Sequence, residues 1–66
     1  MDYNTARAKV LGEFQKFQQA EGLYQDELKE QMRAQCISKC FTYYLQCNDA
    51  EDLRQELLNL ILKGPD

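Results

Sequence analysis

The sequence predicts an all-α protein, either a small three-helix bundle or an open helical hairpin followed by a C-terminal helix. Apolar residues recur at helical spacing in three segments, and helix-breaking signals separate those segments. The signals are Glu21 with Gly22, Asn48 with Asp49 and, at the end of the third segment, Gly64 with Pro65. We therefore expect a single domain over residues 1–66, with helices at about 4–20, 23–46 and 49–63.

Length and composition limit the protein to one small core. Of the 66 residues, 44% are hydrophobic and 29% are charged, a balance typical of a folded domain rather than of a disordered tail or a membrane span. So small a domain keeps little net stability once the entropy of ordering is subtracted, and usually gains support from a disulfide, a metal or another chain. We expect support from a protein partner or a homo-oligomer.

Charge and hydropathy exclude several classes of partner. The net charge is −3, and acidic and basic residues are interspersed, so no basic stripe is expected to bind nucleic acid. Residues 1–5 lack the pattern of a secretory signal, and no window approaches the roughly 20 apolar residues of a membrane span, so we expect no stable membrane insertion. The expected compartment is intracellular and soluble, by default the cytoplasm; the mitochondrial intermembrane space stays open, because some import routes read internal signals.

The first segment has the pattern of an amphipathic helix. A rotation of 100° per residue places five side chains in one narrow stripe: Tyr3, Ala6, Val10, Phe14 and Phe17. Lys9, Glu13 and Lys16 fall to one side of this stripe. Gly12 costs the helix up to about 1 kcal/mol relative to alanine. Either another backbone approaches closely at this position, or the helix simply tolerates the glycine.

The second segment opens with acidic residues that suit the positive end of a helix dipole, namely Asp26, Glu27 and Glu30. Its apolar positions then recur every four or three residues: Leu28, Met32, Cys36, Cys40, Tyr44 and Cys47. Residues 37–45 are also rich in β-forming side chains and could form a strand. No other segment offers a second strand to pair with it, so we expect a helix.

The third segment begins with a helix-capping pattern, because Asn48 can cap the helix and Glu51 can complete a capping box. One apolar face follows, formed by Ala50, Leu53, Leu57, Leu60 and Ile61. Leu58 and Leu62 lie about 100° away on a second side. They form either a docking surface for a partner helix or a second copy, or part of a broad buried face.

Tyr43 and Tyr44 are adjacent and point in different directions on a helix, so one is expected to join the core and the other to meet solvent or a partner. We predict that Tyr43 joins Leu58 and Leu62 as a partner-binding residue.

The three cysteines are predicted to lie on one face. On a continuous helix Cys36, Cys40 and Cys47 point within about 40° of one another, and a regular helix directs such side chains badly for a disulfide. Pairing would require the helix to break near residues 46–48 and fold Cys47 back. The alternatives are reduced core thiols, an intermolecular disulfide, or a metal or iron–sulfur site shared with a second chain. We favour structural core cysteines, the commonest role of buried thiols.

Cofactors and catalysis are not expected. The chain has no histidine and no fourth cysteine, so a metal site would need ligands from a second chain. Without a histidine, nothing activates a thiol or the hydroxyl of Ser38, and Lys39 does not face Cys40 on a helix. We therefore predict no metal, no cofactor and no enzyme activity.

Residues 35–44, QCISKCFTYY, resemble one half of the twin Cys-x3-Cys pattern of the small Tim chaperones of the mitochondrial intermembrane space. The resemblance implies a helical hairpin, an oxidised pair of Cys36 and Cys40, and a hexameric carrier of hydrophobic precursors. The second Cys-x3-Cys is missing, and Cys47 follows after six residues. The resemblance therefore carries over only Cys36 and Cys40 as structural cysteines.

The main functional prediction is a non-catalytic protein–protein interaction module, acting as a small adaptor, regulator or accessory subunit through apolar helix docking. Its expected contact residues are Leu58, Leu62 and Tyr43. Two alternatives stay open: a chaperone similar to the small Tim proteins, and a metal-binding helical module completed by a second chain.

Overall fold

A computed structural model describes residues 1–64, which fold into three helices. Helix α1 spans Tyr3–Ala20, α2 spans Asp26–Gln46 and α3 spans Glu51–Lys63, with a 3-10 turn at Glu21–Leu23 between the first two. No residue in the described range lies in a strand, which confirms the all-α class and the helical interpretation of residues 37–45. The predicted contribution of Pro65 to ending α3 falls outside the described residues.

Helix α2 begins later than predicted. The sequence pattern placed its start near Leu23, but residues 21–23 form the 3-10 turn and Tyr24 is extended. The helix starts at Asp26, so Asp26 and Glu27 occupy its first turn, where free backbone amides favour carboxylates. Leu23 is left outside the helix, with 84% of its surface exposed.

The predicted capping box of α3 is wrong. Helix α2 stops at Gln46, Cys47 is extended, and the N-cap residue of α3 is Ala50, which has no side-chain acceptor. Asn48 and Asp49 instead face the start of α1. The backbone N–H of Asn48 donates to the carbonyl oxygen of Met1 at 3.1 Å, and the carboxylate of Asp49 accepts a hydrogen bond from the backbone N–H of Tyr3.

Two carboxylates therefore serve the first turn of α1. Besides Asp49, the side chain of Asp2 accepts a hydrogen bond from the backbone N–H of Thr5 at 2.8 Å. Hydrogen bonding from the side chain of Thr5, together with that from its backbone N–H, favours the ionised carboxylate and lowers the pKa of Asp2. The link between α2 and α3 is thus hydrogen-bonded to the beginning of the chain. Asp49 and Tyr3, which form this contact, are 46 residues apart in sequence.

The three helices bury one cluster of small and medium side chains: Ala6, Val10, Phe14, Cys36, Cys40, Cys47, Leu57 and Ile61. The buried α1 residues belong to the predicted stripe, and Tyr3 and Phe17 pack partly buried at its two ends. An added Cβ at Gly12 would meet no atom within 4 Å. No backbone approaches there, so the structure supports simple tolerance of this glycine.

The third layer of the bundle covers only half of the α1–α2 hairpin. Helix α3 has 13 residues and α2 has 21, which correspond to about 20 Å and 31 Å of helix. Burial in α1 ends at Phe14, and burial in α2 begins at Cys36. We call residues 17–35 the arm: this part of the hairpin contributes no buried side chain.

We predict that Asp49→Ala destabilises the protein by about 1 kcal/mol, a typical loss for a removed helix cap. Asn48→Ala is the matched control, because only the backbone of Asn48 takes part in the hydrogen bonds described above. Its expected effect is below about 0.5 kcal/mol. Urea denaturation followed by circular dichroism measures both changes in the free energy of unfolding. A larger loss of stability for Asn48→Ala than for Asp49→Ala would contradict this account and favour Asn48 as the local cap of α3.

Candidate functional site

An apolar cleft opens where the C-terminal ends of α1 and α3 meet the middle of α2. This front cleft has a volume of about 170 Å³. Its apolar lining consists of Phe14, Phe17, Cys36, Ile37, Ile61 and Leu62. Ile61 is buried, whereas Leu62 is 64% exposed. Neighbouring residues on a helix point about 100° apart, so α3 supplies both a core residue and an exposed apolar residue of the cleft.

The rim of the front cleft is polar and carries charges of both signs. Arg33 from α2 and Lys63 from α3 supply positive charge, and Glu21 supplies negative charge. The cleft therefore combines an apolar lining with charged groups at its border, as small docking sites commonly do.

The three residues predicted to contact a partner do not share one surface. Leu62 lines the front cleft, and Leu58, one turn earlier on α3, is half-buried. Tyr43 points about 120° away from Ile37 around α2. Its half-buried ring packs against the core and lies under the Lys9 ammonium group, which is 5.6 Å from the ring centroid.

A second depression, which we call the back groove, runs between α1 and α2. Its apolar lining consists of Phe17, Ala20, Tyr24, Met32 and Cys36, and its volume is about 240 Å³. Lys16, Lys39 and Glu13 border it. Phe17 and Cys36 also line the front cleft, so these two side chains form the wall between the two depressions.

Sequence analysis missed the back groove, although part of its signal was visible. Lys9, Glu13 and Lys16 lie on one side of the α1 stripe, a pattern that on its own is typical of a solvated helix face. Lys39 belongs to α2 and is 23 or more residues away in sequence. Only the packing of α1 against α2 brings these charges to the edges of a common apolar groove.

The Tyr44 ring on α2 contacts Phe41 of the same helix and Arg54 of α3. The Phe41 ring meets it edge-on with a centroid distance of 6.3 Å, and the Arg54 guanidinium lies 5.1 Å from its centroid. The Nε atom of Arg54 is buried without a hydrogen-bond partner. The attraction between the guanidinium group and the Tyr44 ring offsets part of the cost of burying this atom. We assign this set a structural role.

The cysteines occupy the core as free thiols. Cys36 and Cys40 share one face of α2, whereas Cys47 lies just beyond the end of α2 and is buried through the turn of the chain. The predicted stripe of three cysteines on one continuous helix is therefore interrupted before Cys47. Burial raises the pKa of Cys36, and burial together with the adjacent Cys36 thiol raises the pKa of Cys40 to about 12.

The described residues 1–64 contain no group of three or more histidine, cysteine, aspartate or glutamate side chains that could hold a metal ion. A metal site completed by a second chain stays a prediction. Within the same range, the helices are too short or too polar to cross a bilayer.

Comparison with known proteins gives no match: no family model, no curated protein and no solved structure matches this chain significantly. Nothing in these comparisons identifies it as a small Tim chaperone, so that resemblance stays a prediction from ten residues.

We predict that the buried thiols react very slowly in the folded protein. With a pKa of about 12, roughly one Cys40 thiol in ten thousand is ionised at pH 8, against about a quarter of ordinary thiols of pKa 8.5. Iodoacetamide at pH 8 should therefore modify Cys40 at least about a hundredfold more slowly than in urea-unfolded protein, as peptide mass mapping would measure. Equal modification rates in the folded and unfolded protein, or a disulfide in the native protein, would contradict the assignment of Cys36 and Cys40 as reduced, buried thiols.

Proposed function

We propose that the protein is a non-catalytic protein-interaction module that acts as a small adaptor, regulator or accessory subunit by docking an apolar helix. The observation that carries this proposal is Leu62, which is 64% exposed at the front cleft. Full burial of a leucine side chain stabilises a complex by about 1.5–3 kcal/mol. A partner that covers Leu62 together with the cleft gains this contribution.

The proposed occupant is an amphipathic helix of another protein. Helix α3 ends at Lys63, and within residues 1–64 no third helix covers the arm beyond that point. A partner helix placed after the end of α3 would extend that layer and insert an apolar side chain between Ile37 and Leu62. Arg33 and Lys63 could then pair with carboxylates of the partner, and Glu21 with a base.

The energetics favour a reversible complex. Association costs several kcal/mol of lost translational and rotational freedom, and ordering of side chains adds to that cost. One anchor residue in a cleft of about 170 Å³ does not offset this alone, so the partner must also contact the charged rim. We therefore expect affinity in the micromolar range, which corresponds to about 8 kcal/mol.

The state of the thiols supports a role without catalysis. A nucleophilic cysteine needs a lowered pKa and access to substrate. Burial raises the pKa of both Cys36 and Cys40, and only Cys36 reaches the lining of the front cleft. Both residues are better suited to packing than to attack on a substrate.

Site-specific photocrosslinking in the native cell tests the docking surface. A photoreactive benzoylphenylalanine replaces Leu62 in the front cleft, and a matched protein carries it at Gln31, an exposed α2 position outside both depressions. We expect one discrete heterologous protein to be crosslinked from position 62 and not from position 31. Crosslinks of equal pattern from both positions, or to a second copy of the chain alone, would contradict the proposal.

The identified partner is then purified and its affinity is measured by isothermal titration calorimetry. We expect Leu62→Glu to weaken binding at least about tenfold, because the anchor is replaced by a charge. Gln31→Glu adds the same negative charge away from the cleft and should change the Kd less than about twofold. Circular dichroism confirms that both variants fold; equal affinities would exclude Leu62 as a contact.

A further inference from the structure

Lys9 on α1 and Tyr43 on α2 lie one turn beyond the residues that line the back groove. Tyr43 lies one turn after Lys39, and Lys9 lies one turn before Glu13, so both extend the groove in the same direction. The Lys9–Tyr43 contact of 5.6 Å spans the two helices at this end. From Met32 to Tyr43 the groove follows 11 residues of α2, or about 16 Å of helix.

The charge of this groove is opposite to that of the whole protein. Lys16 and Lys39 line it with one acidic residue, Glu13, and Lys9 lies one turn before Glu13 on α1. These four side chains together carry a charge of +2, on a protein of net charge −3. The Lys16–Glu13 contact is long, at 4.0 Å, and the Lys16 side chain is 79% exposed, so its ammonium group remains available to a partner.

The floor of the groove suits the apolar face of a helix. Met32 is unbranched and adapts to irregular surfaces, while the rings of Tyr24 and Tyr43 offer large, rigid contact areas. Tyr24, Met32 and Tyr43 are all half-buried, so each still has apolar surface that a ligand can remove from water. A helix that lies in a groove places anchors at positions i, i+3 or i+4, and i+7.

We propose that the back groove binds an acidic amphipathic helix of a partner protein, whose apolar side covers Tyr24, Met32 and Tyr43 while its flanking carboxylates meet Lys9, Lys16 and Lys39. Helices with basic flanks are rejected, because Lys16 and Lys39 in the groove and Lys9 beyond its end outnumber one glutamate. This surface is separate from the front cleft and does not depend on it.

The test uses two synthetic 18-residue peptides added to the ¹⁵N-labelled full chain. Both form the same leucine-faced helix, but one has glutamates and the other lysines beside the leucines. We expect the acidic peptide to shift the backbone amide resonances around Lys16, Met32 and Lys39, with an affinity at least about tenfold above that of the basic peptide. Raising the salt concentration from 50 to 500 mM should weaken the acidic peptide's binding, because salt screens exposed charges.

Matched charge reversals locate the effect. The double variant Lys16→Glu with Lys39→Glu should weaken the acidic peptide at least about tenfold. Arg7→Glu with Lys29→Glu makes the same charge change outside both the groove and the front cleft and should cost less than about threefold. Equal binding of both peptides, equal effects of both double variants, shifts centred on Leu62, or self-association through the groove would each overturn the proposal.

Discussion

The difference in length between α3 and α2 is the constraint on which this structure depends. Helix α3 covers the half of the hairpin that contains Val10 and Cys40, and these two residues and Leu57 of α3 are fully buried. Among residues 1–64, the hairpin has no buried side chain beyond Phe14 and before Cys36, where α3 reaches only the border of the front cleft. A two-layer helical arm cannot enclose its apolar side chains, so depressions remain on both of its sides.

The covered half is held by packing and by a tertiary cap rather than by covalent links. Three of its eight buried residues are cysteines and one is alanine, which keeps the core small; its three thiols are free. The carboxylate of Asp49 accepts from the first turn of α1, and this contact ties the α2–α3 link to the beginning of the chain. Such a core leaves a narrow margin of stability, which binding a partner would increase by mass action.

Periodicity predicted the parts of the fold that depend on local sequence. The spacing of Ala6, Val10 and Phe14 identified the buried stripe of α1, and the apolar face of α3 contained both of its buried residues, Leu57 and Ile61. The capping box of Asn48 and Glu51 was predicted wrongly because a local rule was applied to a link that instead contacts the start of α1, through Asn48 and Asp49. The back groove could not be predicted because its lysines become neighbours only when α1 packs against α2.

Backbone amide hydrogen exchange, resolved by residue, tests the half-covered hairpin most directly. Amides near Val10, Cys40 and Leu57 should exchange only through global unfolding, whereas amides in α2 before Cys36 should open locally and exchange at least about a hundredfold faster. Binding of a partner helix should slow the exchange of the α2 amides before Cys36. Equal protection along all of α2 in the free protein would contradict the account, because it would mean that the arm is as stably packed as the core.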